Sequence, residues 1–284
     1  MTSADQIVRE LVASGWVGEV RLDAETTNGR LADFVDAART AGRQVTIKGR
    51  LGFDDLPAPG SGERWVAEGR DGEAHWRLVF GTRPGWQRAG KRGVDVVVAS
   101  AMLVLLSPLL LGVGCAVRLT SAGPVFYRWR VLGKDGRPFV GYKFRTMVQG
   151  ADELKATLLP HNRMVGPVFK MAKDPRITPL GRWLRRYSLD ELPQLWSVLR
   201  GDMSLVGPRP VFPQEYGQFA LWQMRKLSVV PGITCLWQVN GRNTIADFDE
   251  WVRLDLDYID RWSLGLDVRI LLRTLSAVVR GTGQ

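Results

Sequence analysis

The stretch Ser188-Leu-Asp190-Glu191-Leu-Pro-Gln-Leu sets two adjacent carboxylates just after the arginines Arg182, Arg185 and Arg186. A carboxylate can attack phosphorus and hold a covalent phosphoryl group. The planar fork of arginine pairs with phosphate oxygens through parallel hydrogen bonds. Asp190 is therefore a candidate nucleophile, and Glu191 a candidate base or, together with Asp190, a candidate ligand for a divalent metal. A plainer reading exists. Ser188 and Glu191 have the spacing of a capping box at a helix start, and taken alone the pair reads first as such a cap. The two readings share a geometry, because an Asp in the first turn of a helix meets the positive end of the dipole, which favours its carboxylate. Pro193 falls just beyond the four free N–H groups of that turn, so one helical bond is lost or the helix starts a residue later.

Three further segments suit anions. Lys143-Phe-Arg145 follows a predicted strand, Gly207-Pro-Arg209-Pro holds an arginine on a stiff turn, and Gly241-Arg242-Asn243 places another in a turn. Each alone reads as a solvated basic loop; it is their company with the acidic pair that makes them phosphate-binding candidates. Asp255 and Asp257 in LDLDYID are read as surface acids on a helix, with metal or substrate contact as the alternative.

The totals agree with an anionic partner. The 284 residues carry a formal net charge of +10, which favours nucleic acid, a membrane surface or a phosphorylated substrate. Residues 1–90 hold 12 Lys and Arg against 13 Asp and Glu, and the remainder 27 against 16, so the basic character lies in the second part. Cys115 and Cys235 stand far apart, without disulfide or zinc spacing. The opening MTSADQIVRE lacks a basic stretch followed by an apolar one, so no secretory leader is expected there.

Elements that could position these residues follow from periodicity. Residues 1–83 read as a small soluble α/β unit, with strands at Gly18–Asp23, Gln44–Lys48 and His75–Phe80, a helix over Arg30–Ala41 and a loop at 57–62. His75 reads as a partly buried strand histidine. Residues 84–122 comprise a linker and an apolar run, Val94 to Val117, whose 24 residues contain one charge, Asp95. That is long enough to cross a bilayer. Ser107-Pro108 interrupts it, and Lys91, Arg92 and Arg118 flank both ends. Positive flanks prefer the cytoplasm, so a helix that dips in, breaks at Ser107 and Pro108 and returns is expected, a bent spanning helix being the alternative. From 123 onward come two short strands around the turn Gly133–Gly136, a helix from Gly150 to Leu158, and another from Pro179 or Gly181. Helices are also predicted over Glu215–Val230 and Ser263–Val279. In the last, Leu266, Ile270, Leu271, Leu275 and Val278 form an apolar face beside Arg269, Arg273 and Arg280, suited to the protein core or to a membrane interface. The fold class is α+β: a mostly helical catalytic domain, 123–284, with a re-entrant membrane helix and short strands, preceded by the small α/β domain.

From Lys91 to Gln284 the chain resembles the monotopic phosphoglycosyl transferases, or polyprenyl-phosphate sugar-1-phosphate transferases, of the bacterial sugar transferase family. The matching pieces run in order. They are Lys91-Arg92-Gly-Val-Asp95, the apolar run with Ser107-Pro108, Gly123-Pro-Val-Phe, Tyr142-Lys143-Phe-Arg145-Thr-Met and Ser188-Leu-Asp190-Glu191-Leu-Pro-Gln-Leu. Arg200-Gly-Asp-Met-Ser-Leu-Val-Gly-Pro-Arg209-Pro, Pro231-Gly-Ile-Thr, Gly241-Arg242, Asp257-Tyr258 and Trp262-Ser-Leu complete them. The resemblance implies a re-entrant helix and a catalytic face on the cytoplasmic side of the bacterial inner membrane. It implies Asp190 as the nucleophile that takes the phosphosugar from a UDP-sugar and releases UMP, and polyprenyl (undecaprenyl) phosphate as acceptor. Mg²⁺ is implied beside Asp190 and the diphosphate, with Glu191 assisting, and Arg185, Arg209 and Arg242 near phosphate groups. A surface-glycan pathway is implied as the setting. It gives residues 1–83 no role.

Two other classes fit parts of the sequence: a non-catalytic membrane scaffold whose acidic pair only caps a helix, and a nucleic-acid binder. Nucleic acid is not expected as a partner, because the arginines sit in separate Gly/Pro turns and the apolar run would go unexplained. Membrane lipid is expected, and a second copy of the chain is a candidate partner.

Overall fold

The computed structural model describes residues 20–23, 31–32, 35–36, 45–48, 56, 64–68, 75–79, 85–171, 173–241 and 245–281. The chain divides into two compact units, Met1–Gly90 with 135–137 and 219–228, and Lys91–Lys134 with 138–218 and 229–284. The first contains strands β1 (Val20–Asp23), β2 (Val45–Lys48), β3 (Arg64–Glu68) and β4 (His75–Val79), in the sheet order β1-β2-β4-β3. β1 and β2 run parallel; the other pairs are antiparallel. Ile47 and Val35 are fully buried, and positions 31, 32, 35 and 36 are helical, on the helix predicted there. β3 has only Trp65-Val66-Ala67 between charged ends, too short an alternation to register as a strand in the sequence. The loop at 57–62 lies outside the described residues.

α1 (Gly85–Leu105), which belongs to the second unit from Lys91 onward, and α2 (Ser107–Thr120) meet at Leu106 with a bend of 62°. Pro108 lies in the first turn of α2, where a missing N–H is tolerated. The Ser107 hydroxyl donates to the Val104 carbonyl at 2.8 Å, across the break. No single described helix is long and apolar enough to cross a membrane; the bent pair together meets that length and composition.

A hairpin of β5 (Phe126–Leu132) and β6 (Pro138–Phe144) follows, paired antiparallel with Trp129 opposite Gly141 and Tyr127 opposite Lys143. Next come α3 (Pro179–Arg186), a 3₁₀ segment at Leu189–Gln194, and α4 (Leu195–Arg200). β7 (Ser204–Val206) pairs in parallel with β8 (Gly232–Thr234), and α5 (Phe248–Asp260) and α6 (Leu264–Val279) close the unit. Two predicted helices are shorter than expected. Gly150–Leu158 becomes helical only at Lys155–Leu158, and Glu215–Val230 gives way to short pieces at Pro213–Tyr216, Leu221–Met224 and Arg225–Ser228. Gly217 interrupts the second; glycine is among the poorest helix formers.

The main core gathers Ala99 of α1, Leu195 and Val198 of α4, Leu205 and Val206 of β7, Tyr258 of α5 and Ile270 of α6. A second cluster joins Val113 and Val117 of α2 to Phe144 and Leu184. Both limbs of the bent pair thus pack on the same unit. A polar network fixes the first limb. Lys91 Nζ donates to Asp267 at 2.7 Å and to the Val206 carbonyl at 3.0 Å. Arg92 donates to the carbonyls of Val198 and Leu199 near the end of α4. Buried Asp95 accepts from the Ser204 hydroxyl and the Leu205 N–H, each at 3.0 Å. Of the basic residues that flank the apolar run, Lys91 and Arg92 are therefore bonded within the fold, while Arg118 is exposed.

Candidate active site

The acidic pair is held by its neighbours, not by the expected cap. Ser188 has a left-handed backbone (φ 53°) and its side chain makes no capping bond, so the predicted capping box does not form. Asp190 and Glu191 lie in a 3₁₀ segment that carries Pro193 within it, and the α-helix starts only at Leu195. Proline has no N–H to donate, and the tighter turn absorbs it before α4 begins. Glu191 reaches across the chain instead. It accepts from Lys143 Nζ at 3.2 Å and from Gln194 Nε2 at 3.0 Å. Asp190 is buried, 8% exposed, and opens onto the same cleft.

Arg185 is set beside the pair by α3. Thr178 caps that helix through the Gly181 N–H at 2.9 Å, and the Thr178 N–H donates to the Thr146 carbonyl at 3.0 Å. Gly181 permits the close approach, since a Cβ there would lie 2.1 Å from the Thr146 carbonyl oxygen. Arg185 Nε then donates to Thr146 Oγ1 at 2.8 Å. Burial pushes the Arg185 guanidinium below its ordinary value, while the Asp190, Asp174 and Glu191 carboxylates pull it back up. The guanidinium is thus desolvated and set among carboxylates that compensate its charge.

These groups line a cleft of about 1280 Å³, larger than the ~300–1,000 Å³ of ordinary small-molecule sites. Its walls include ten Lys and Arg against six Asp and Glu. Lys143, Arg145, Arg185, Asp190, Glu191 and Arg209 all line it. Arg242 lies outside the described residues, and Ser107 and Pro108 stand apart at the helix break. Arg145 is differently employed. Its guanidinium donates to the carbonyls of Ser121 and Ala122 at the end of α2, and to Ser121 Oγ at 2.8 Å. Burial, and then nearby Arg118, hold it below its ordinary value. Cations near a helix C-terminus satisfy its last carbonyls; Arg145 anchors the returning limb from the cleft wall. Asp255 is fully buried on α5, contrary to the surface reading, and Asp257 pairs with Arg261 at 2.7 Å.

Among the described residues no group of three or more His, Cys, Asp and Glu side chains is placed to hold a metal. Asp190 and Glu191 are adjacent carboxylates that both line the cleft. Two carboxylates suit Mg²⁺ when substrate phosphates and water complete its shell, so the donor chemistry fits.

A family model described as bacterial sugar transferase matches residues 86–281. The chain belongs to the bacterial sugar transferase family. It is 46% identical over 193 residues to galactosyl transferase CpsE of Streptococcus agalactiae, covering 68% of this chain and 43% of that one. It is 41% identical over 197 residues to undecaprenyl-phosphate galactose phosphotransferase of Salmonella typhimurium, covering 68% and 41%. Against exopolysaccharide production protein ExoY of Rhizobium meliloti it is 40% identical over 201 residues, covering 68% and 87%. The chain thus spans about two fifths of the length of the first two relatives.

Within the family region, several cleft residues carry little signal in the sequence. Thr146 and Gln194 stand inside quoted motifs, yet their types alone assign them nothing. The Asp174–Arg176 pair is bidentate, Nε to Oδ1 at 2.9 Å and Nη2 to Oδ2 at 2.6 Å, and Arg176 also donates to the Ala151 carbonyl at 3.0 Å. Its local spacing, Asp-Pro-Arg, was the available signal. The hydrogen bond from Arg176 holds the Asp174 carboxyl below its ordinary value, against its own burial. Asp174→Ala leaves Arg176 buried without its counterion and is expected to cost about 3 kcal/mol. A carboxylate lowered on folding stabilises above its unfolded pKa, about 3.9, and loses that contribution as pH falls through the folded value. Melting curves should therefore show a wide gap between wild type and Asp174→Ala at pH 7, and a gap that closes in acid below about pH 4.

Proposed function

We propose that this protein transfers a sugar-1-phosphate from a UDP-sugar to polyprenyl (undecaprenyl) phosphate at the cytoplasmic face of the bacterial inner membrane. The observation that carries the reading is Asp190, buried in a cation-lined cleft beside Arg185 and the Lys143–Glu191 pair. Asp190 attacks the sugar-linked phosphorus, the phosphoanhydride bond breaks, and UMP leaves. An oxygen of the acceptor phosphate then attacks the same phosphorus, and the acyl phosphate bond breaks to restore Asp190. The product is a polyprenyl diphosphate sugar, the opening membrane step of a surface glycan. Arg185 and Arg209 stabilise negative charge spread over the transferring group, the main requirement of phosphoryl transfer. Glu191, held by Lys143 and Gln194, receives the acceptor's proton in this reading. Asp190 and Glu191 would hold Mg²⁺, which when bound neutralises charge on the diphosphate. UMP release across a panel of UDP-sugars tests the reaction; no release with any of them refutes it.

The membrane setting has separate support. A re-entrant pair accounts for both limbs packing on one unit, through Ala99 on α1 and through Val113 and Val117 on α2. A spanning helix would carry its second limb away. Val97, Val104, Leu105, Leu111 and Leu119 remain exposed on this pair. On α6 the two sequence readings are divided between faces: Ile270 is buried, while Leu264, Val268, Leu272, Leu275 and Val279 form an exposed stripe and Arg269, Arg273 and Arg280 are exposed beside it. An apolar face with a basic flank lies in a bilayer interface. Leu272→Asp with Leu275→Asp should weaken sedimentation with vesicles of phosphatidylglycerol and phosphatidylethanolamine by at least about tenfold, leaving the melting temperature in detergent unchanged.

A further inference from the structure

We infer that Trp129 is a positioning residue of the proposed transfer site, acting through Lys143; the inference rests on the reaction proposed above. Lys143 Nζ sits over the Trp129 ring, 4.2 Å from its centroid, and 3.2 Å from Glu191 Oε1. An ammonium between an aromatic face and a carboxylate keeps its charge while its position is restricted from two sides. Neither partner does this alone, because a single ion pair at a partly exposed lysine is held weakly.

The seat for the indole is built into the hairpin. Trp129 lies opposite Gly141 across β5 and β6, and a Cβ on Gly141 would fall 2.3 Å from Trp129 Nε1. Glycine in a strand interior marks a close approach of this kind. Lys143 follows two residues along β6, on the same face as Gly141. Its side chain therefore meets the ring that the glycine admits. Phe212 packs against the indole, with ring centroids 5.5 Å apart, and Trp129 is 3% exposed. The indole is thus buried, lines the cleft, and presents its face to Lys143, which pairs with Glu191.

The consequence is a fixed cation beside the acidic pair. Without the ring, Lys143 samples other rotamers, and the positive charge offered to the incoming phosphate is lost for part of the time. Trp129→Leu removes the face and keeps apolar bulk; Trp129→Phe keeps a face. The expected result is a roughly tenfold fall in kcat/KM for Trp129→Leu and a fall of no more than about threefold for Trp129→Phe.

The deciding measurement is a double-mutant cycle with Lys143→Met, reading both UMP release and the affinity for UDP by calorimetry. If Trp129 acts through Lys143, Trp129→Leu changes neither quantity further in the Lys143→Met background. Equal losses from Trp129→Leu in both backgrounds overturn the inference and leave Trp129 a packing residue. Gly141→Ala, which displaces the indole without altering either partner, should match Trp129→Leu in wild type and likewise have no effect beside Lys143→Met. Wild type that binds UDP but releases no UMP from any UDP-sugar refutes the reaction instead, while the binding cycle still tests the Trp129–Lys143 coupling.

Discussion

Asp190→Asn is expected to abolish sugar-phosphate transfer, with a loss on the order of 10⁴-fold or more, the scale seen when a covalent nucleophile is removed. The substitution keeps shape and volume at a buried position, so the protein should still fold and still bind the donor. What it removes is the negative oxygen that attacks phosphorus. Incubation with a UDP-sugar labelled in the sugar-linked phosphate, without acceptor, should leave label on the wild-type protein and none on the variant. The label should be released by hydroxylamine, as expected of an acyl phosphate. Glu191→Gln offers the contrast. It breaks the ion pair with Lys143 but leaves the nucleophile, so the label should still form while turnover falls roughly 10²-fold, the range for loss of general acid–base assistance. Full turnover by Asp190→Asn would refute the covalent route, and with it the reading of the acidic pair as catalytic.

The acidic pair also shows how far local sequence reasoning reaches. Residue type and the nearby arginines were enough to mark Asp190 and Arg185, because phosphate chemistry needs those groups wherever the chain places them. The capping box failed because it is a statement about backbone conformation, and the backbone here answers to Pro193 and to a left-handed Ser188. Glu191 instead meets Lys143, 48 residues away. No periodicity encodes such a pairing. Lys143 and Arg145 were indistinguishable as basic residues after a strand, yet one faces the acidic pair and the other ties down the end of α2. That difference depends on where α2 lands. The same holds for α6. Its helical period was plain, and Ser263 caps it by accepting from the Leu266 N–H at 3.1 Å. Which apolar stripe would be buried depended on the approach of α1 and β7, contacts that pair residues more than 60 positions apart.

Asp267→Ala is expected to be the most destabilising of the changes considered, with a loss of about 3–5 kcal/mol, the cost of stripping one partner from a buried ion pair. Asp267 accepts from Lys91 Nζ at 2.7 Å, Tyr258 Oη at 2.8 Å and Trp262 Nε1 at 3.0 Å. Removing the carboxylate leaves the mostly buried Lys91 ammonium without this counterion. The buried Tyr258 hydroxyl loses its 2.8 Å bond to Asp267 and keeps the Val206 carbonyl at 3.0 Å. For a domain whose total stability is about 5–15 kcal/mol, such a loss leaves little margin. Denaturant melts in detergent should show it, and hydrogen exchange should rise first over Lys91–Ala99, the part of α1 that this network fastens to α6. Lys91→Met combined with Asp267→Leu removes both charges and should recover much of the loss, because apolar replacement of a buried pair is tolerated where its one-sided breakage is not. If the double variant is no more stable than Asp267→Ala, the unpaired lysine is not the cause. The cost would then lie with Tyr258 and Trp262, whose lost bonds the double substitution does not restore.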